Sequence, residues 1–72
     1  MSILDTIGKN VRAYRKKLGY SQEELADVAG VHRTYMGAVE RGEKNISALS
    51  LVKIAKALKV KPEKLLSERI DT

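Results

Sequence analysis

The chain has 72 residues, a formal net charge of +5, a sequence pI near 9.7, one histidine and no cysteine. One thin-cored domain spanning 1–72 is all this length supports, since so short a chain buries only about 60–65% of its unfolded surface. The missing thiols exclude a disulfide framework, a thiolate zinc site and a cysteine nucleophile, and His32 alone cannot hold a metal, so a second copy of the chain is expected by elimination as support.

The positive excess points to a polyanionic partner, namely DNA, RNA or an anionic membrane surface, although a modest charge also simply aids solubility. Residues 1–30 carry five basic and four acidic groups, 31–45 three and two, and 46–72 six and three, so no basic arm stands out. No apolar run approaches the roughly 20 residues of a membrane span and no signal-peptide pattern precedes the first helix. A cytoplasmic protein is expected, with no membrane partner.

In chain order, Ile3, Ile7, Val11, Tyr14 and Leu18 fall on one helical face. Ser2 is its N-cap, with Asp5 completing a weak capping box, and Gly19 is the left-handed stop. Ser21 and Glu24 form a clearer capping box opening a second helix, with Leu25, Val28 and Ala29 on one side and Gly30 at its end. A third helix starts after His32 and runs to about Arg41, with Gly42 closing it. Ser47 caps a fourth helix whose buried side is Leu51, Ile54, Ala55 and Leu58. Pro62 takes the favoured first position of a short fifth helix with Leu65 and Leu66 inward. The expectation is an all-α, five-helix domain.

Residues 21–41 carry the strongest signal. Two short helices crossing steeply need a small residue where their axes meet, supplied by Ala26, and a turn tolerating positive φ, supplied by Gly30. Val31 plugs the turn while Met36 and Val39, three apart, face inward. At about 100° per residue, Thr34, Gly37, Ala38 and Arg41 then point away from the core, and Arg33 lies in the first turn where it can swing outward. A helix presented N-terminus first to a major groove puts Arg33 and Thr34 at base edges. Arg33 can pair bidentately with guanine and Thr34 can bond a base or touch a thymine methyl. Tyr35 either contacts DNA at the flank of the site or packs its ring on a neighbouring helix. Ala38 is placed with Arg33, Thr34 and Tyr35 on the base-reading surface, but with Gly37 and Ala38 offering little to hydrogen-bond, DNA shape is expected to carry much of any preference.

The chain resembles the Cro and lambda-repressor-like, or XRE, helix-turn-helix family. The resemblance runs through Arg12-Ala13-Tyr14-Arg15, Gly19-Tyr20-Ser21-Gln22-Glu23-Glu24-Leu25-Ala26, Gly30-Val31, Val39-Glu40-Arg41-Gly42 and Leu51-Val52-Lys53-Ile54-Ala55-Lys56-Ala57-Leu58. Within it, His32-Arg33-Thr34-Tyr35-Met36 with Glu40-Arg41-Gly42 and Asn45-Ile46-Ser47 is similar to the controller proteins of restriction–modification systems. The resemblance implies a lambda-repressor-like fold and a bacterial or phage-encoded transcriptional regulator. Its implied partners are double-stranded DNA, a second copy of the chain and, depending on operator position, RNA polymerase.

The resemblance also implies that Gln22, Arg41, Lys44 and Asn45 clamp phosphates, Gln22 from the start of the second helix, where N–H groups favour anions. His32, at an N-cap, is a cap or a phosphate neighbour. Glu40, on the buried side, has by resemblance Arg15 as its ion-pair partner. Lys53, Lys56 and Lys59 read as a solvated face rather than a second DNA contact. Apolar residues beyond the fourth helix, Val60, Leu65, Leu66 and Ile70 within about 59–70, are expected to mix dimer contact with closure of the chain's own core. An interaction module such as an antitoxin is the competing class. Neither an acid–base pair nor a phosphate-cradling glycine loop is present, so no enzyme, cofactor or small-molecule ligand is expected.

Overall fold

Serine hydroxyls open three of the helices. Ser2, Ser21 and Ser47 accept hydrogen bonds from the main-chain N–H groups of Asp5 (3.2 Å), Glu24 (3.0 Å) and Ser50 (3.1 Å), satisfying donors that a helix start leaves unpaired. Only at Ser21 is the box reciprocal, its N–H donating to the Glu24 carboxylate at 2.8 Å. The computed structural model describes residues 2–68 and gives α1 (Ile3–Leu18), α2 (Gln22–Ala29), α3 (Arg33–Glu40), α4 (Ala48–Ala57) and α5 (Pro62–Leu66). There is no strand among the described residues.

The first four helices all end in the same way. A residue at or just past the C-cap takes positive φ, and the next N–H reaches back five residues: Tyr20 to Arg15, Val31 to Ala26, Glu43 to Ala38 and Val60 to Ala55, each at 3.0–3.1 Å. Three of these left-handed positions are glycines, but in the fourth Lys59 stands at φ 62°. A side chain there crowds the main chain, and nothing in the local packing requires lysine.

Helix α1 packs on α3 and α5, α2 packs on α3 and α4, and α4 packs on α5. One cluster fills the space between them: Ile7, Val11 and Tyr14 of α1, Leu25, Ala26 and Ala29 of α2, Met36 and Val39 of α3, Ile54, Ala55, Ala57 and Leu58 of α4 and its cap, and Leu65 of α5. Two residues unremarked by periodicity set how these helices meet. Asn10 is buried on the inward face of α1, and its amide nitrogen lies 2.8 Å from the Leu65 carbonyl and 2.6 Å from that of Ser67, closing the end of α5. Gly8 lets α1 rest on the end of α3, because a Cβ there would stand 2.6 Å from the carbonyl oxygens of both Val39 and Glu40.

The structure corrects several sequence expectations. Val28 is 58% exposed and Leu66 42% exposed, so neither faces inward. Both sit on two-turn or shorter helices, where one neighbouring helix covers only part of the circumference. Leu65, expected to share in a dimer contact, is wholly buried in its own chain, since α5 docks by that side chain against α1 and α4. Val60 is half-buried against the same core, and Ile70 lies outside the described residues.

Candidate nucleic-acid interface

The turn between α2 and α3 is tight because Gly30 (φ 73°) reverses the chain and the Val31 N–H bonds to the Ala26 carbonyl at 3.0 Å. Ala26 is 1% exposed, as the closest approach of the two helices requires. With Met36 and Val39 buried beneath it, α3 leaves Arg33 and Thr34 fully outside and Ala38 half-exposed. His32 occupies the N-cap position and is exposed, but its side chain makes no capping hydrogen bond. Arg41, Lys44 and Asn45 are exposed on the segment that follows. Tyr35 is half-buried and packs against the core, in line with the packing alternative weighed for it.

The C-terminal end of α3 is held by a buried network. The Glu40 side chain, 3% exposed, accepts from Arg15 Nε at 2.7 Å and Nη2 at 3.1 Å, and from Gln22 Nε2 at 3.0 Å. Arg15 Nη1 also donates to the Tyr20 carbonyl at 2.9 Å. One carboxylate therefore ties α1, α2 and α3 together. The two-point Arg15 contact fixes direction as well as distance, because a guanidinium and a carboxylate match as planar forks.

One expectation gains a detail and another shifts. Gln22 gives one N–H of its side-chain amide to Glu40, which leaves the second N–H, beside the main-chain N–H groups of the first turn of α2, to meet a phosphate. Gly37, expected to face outward, is buried: a Cβ there would meet Arg41 Nη1 at 3.1 Å and Gln22 Oε1 at 3.4 Å. A helical wheel gives the direction of each Cβ but omits long side chains that fold across a gap from four residues on or from the next helix.

Two carboxylates that no sequence pattern announces also lie at this surface. Glu23 Oε2 accepts from Arg33 Nη1 at 3.2 Å, and Glu43 Oε1 from Arg41 Nε at 3.0 Å, all four side chains being more than half exposed. Each pairing joins an arginine to the neighbouring helix or loop, so no spacing within a single helix announces it. For Gly8 and Asn10 a signal does exist, a glycine and an amide interrupting the apolar stripe of a long helix.

The descriptive model of the helix-turn-helix family matches residues 11–65. The chain is 45% identical over 69 residues to the control protein C.SmaI of Serratia marcescens, covering 96% of this chain and 82% of that one. Its fold is similar to the restriction–modification controller protein C.AhdI of Aeromonas hydrophila, with a TM-score of 0.84, 42% identity and coverage of 86% and 94% of the two chains. It is also similar to SinR, a master regulator of biofilm formation whose structure was solved in complex with DNA, with a TM-score of 0.81, 40% identity and coverage of 85% and 98%. With its repressor-like arrangement of five helices and these regulators as relatives, the chain belongs to the helix-turn-helix family of XRE type, as a DNA-binding domain of a transcriptional regulator.

Proposed function

We propose that the chain is a restriction–modification controller that binds a pseudo-palindromic operator as a homodimer, each copy laying α3 in a major groove. The observation that carries this reading is the division of α3 into an inward face of Met36 and Val39 and an exposed first turn of Arg33 and Thr34, with the rear of the helix locked by Glu40. The similarity to two control proteins and to a regulator solved with DNA supports the choice of ligand.

In this reading Arg33 pairs with a guanine edge and Thr34 with the neighbouring base, while Tyr35 and Ala38 lie along the groove wall. His32, Arg41, Lys44 and Asn45, with the first turn of α2 beside Gln22, engage phosphates and set register without reading sequence. Two or three base readers per copy discriminate poorly among the sites of a genome, which is why a dimer reading half-sites about 34 Å apart is needed. Leu66 on α5 and Val52 on α4, exposed on helices that pack together, supply apolar surface for the second copy, together with the half-buried Val60. Whether the dimer activates or represses then follows from where the operator lies relative to RNA polymerase.

Selection of random duplexes on the purified chain tests the reading. It should enrich two inverted half-sites about one helical turn apart, and Arg33→Ala should weaken that duplex about 5- to 150-fold while relaxing preference at one base pair in each half. Enrichment of a single unrepeated site, or of none, refutes it.

A further inference from the structure

We infer that Gly37 is a positioning residue for DNA binding: the side chain it lacks leaves a notch in which the Arg41 guanidinium lies back over α3, beside Gln22, set for a phosphate. The inference rests on the assignment of Arg41 and Gln22 to phosphate and adds a residue that itself touches no DNA.

Gly37 stands in the middle of α3 and is buried. A glycine there weakens the helix by about fivefold in an equilibrium relative to alanine. Its main chain is ordinary helix, without positive φ, so conformation does not call for glycine. Space does. The point where a Cβ would stand lies 3.1 Å from Arg41 Nη1 and 3.4 Å from Gln22 Oε1, so one side chain from the same helix and one from α2 border it. That cover also separates the Gly37 main chain from a duplex, so the glycine serves a contact within the chain and not a close approach to base pairs.

Helix side chains lean toward the N-terminus and residues four apart share a face, so Arg41, the C-cap of α3, folds back over Gly37. Glu43 holds it there by one nitrogen, accepting from Arg41 Nε at 3.0 Å. Nη1 and Nη2 are left for a phosphate, which can be bound without breaking that pair. An arginine fixed before binding gives up less side-chain freedom when the phosphate arrives, a difference of about 2- to 13-fold in affinity for one such side chain. A methyl group at position 37 stands too close for Nη1 to stay where it is. Only the flexible end of Arg41 has to move, so the fold keeps its stability while the guanidinium loses its setting. Phosphates are present on every duplex, so the effect is the same for all sequences.

The test measures Gly37→Ala, Arg41→Ala and the double variant on the duplex enriched from the random pool and on a shuffled duplex of the same length and composition. Fluorescence anisotropy across a salt series gives affinity, and urea unfolding gives stability. Gly37→Ala should weaken both duplexes by the same factor, about 2- to 13-fold, with no loss of stability and no change in specificity ratio. Once Arg41 is alanine it should have no further effect. Arg41→Ala should weaken both duplexes and flatten the log K against log salt slope by about 0.9, as the loss of one phosphate contact requires. Unchanged affinity in Gly37→Ala overturns the inference. So does an equal loss with and without the Arg41 side chain, because the methyl group would then be striking the duplex itself. If Arg41→Ala changes neither affinity nor slope, the phosphate assignment beneath the inference has failed, whatever Gly37→Ala does.

Discussion

Glu40→Gln is the most direct perturbation of the packing that positions α3. Glutamine keeps the volume and one oxygen, but its amide NH2 replaces either Oε2, which accepts from Arg15 Nε, or Oε1, which accepts from both Arg15 Nη2 and Gln22 Nε2, at 2.7–3.1 Å. At least one charge-assisted hydrogen bond is lost, worth about 1.5–3 kcal/mol, and a guanidinium only 11% exposed is left without its counter-charge. Breaking one side of a buried pair costs about 3–5 kcal/mol. Against the roughly 4–11 kcal/mol available to a domain this size, that is a large fraction. At about 4–8 °C per kcal/mol, thermal unfolding followed by far-UV circular dichroism should move down by at least ~12 °C. Arg15→Gln should do nearly the same, and Arg15→Met with Glu40→Met should cost much less than the two losses summed, since apolar side chains carry no stranded charge. A Glu40→Gln loss below about 1 kcal/mol, the value of a solvated pair, would refute the claim that this carboxylate is the hinge of three helices.

Other substitutions probe the remaining features. Lys59→Gly should raise stability by about 0.5–1 kcal/mol in urea unfolding, by removing the side chain from a left-handed position at φ 62°. Glycine-to-alanine changes should go in opposite directions at two sites: Gly8→Ala, against main-chain oxygens at 2.6 Å, should destabilise by about 1–3 kcal/mol or more, while Gly37→Ala, against the mobile end of Arg41 at 3.1 Å, should gain up to about 1 kcal/mol of helix propensity. The Glu24 carboxyl is held below the ordinary glutamate range by the Ser21 main-chain N–H and, secondly, by the Ser21 hydroxyl. Its contribution to stability is therefore complete above that range and lost as pH falls through the lowered pKa, so Glu24→Gln should flatten the acid limb of a stability-against-pH curve.

Much of the fold was legible because its signals are local. Ser2, Ser21 and Ser47 mark three helix starts, Gly19, Gly30 and Gly42 sit at three left-handed ends, and Ile7, Val11, Leu25, Met36, Val39 and Ile54 recur at helical spacing and are buried. Misreadings gather where a position is decided by a second helix. Val28 and Leu66 have the right period but no neighbour over them, and Leu65 is claimed by α1 and α4 before any other chain can reach it. The Arg15–Glu40 contact came from family resemblance, since nothing in the spacing of two residues on different helices announces a pair. Gln22 shows what the same route leaves out, because the resemblance identified a polar residue at that corner without revealing that one of its amide N–H groups bonds Glu40.

The distribution of contacts along α3 explains why one short helix can be both rigid and available. Its last turn is bound by Glu40, by the carbonyls that Gly8 admits, and by Gly42 close against Asp5. Its first turn has no side-chain cap from His32, and its outer side chains have only the exposed pairing of Arg33 with Glu23, while Met36 beneath anchors the helix to the core. Fixing a probe at its rear determines the direction in which the front points, while the front side chains remain free to exchange partners at little cost. Substitutions at Gly8, Arg15 or Glu40 should therefore appear first in stability. Those at Arg33 or Thr34 should leave unfolding nearly unchanged and alter only which duplex is bound. A protein held instead by its first turn would have to break part of its own fold to read a base.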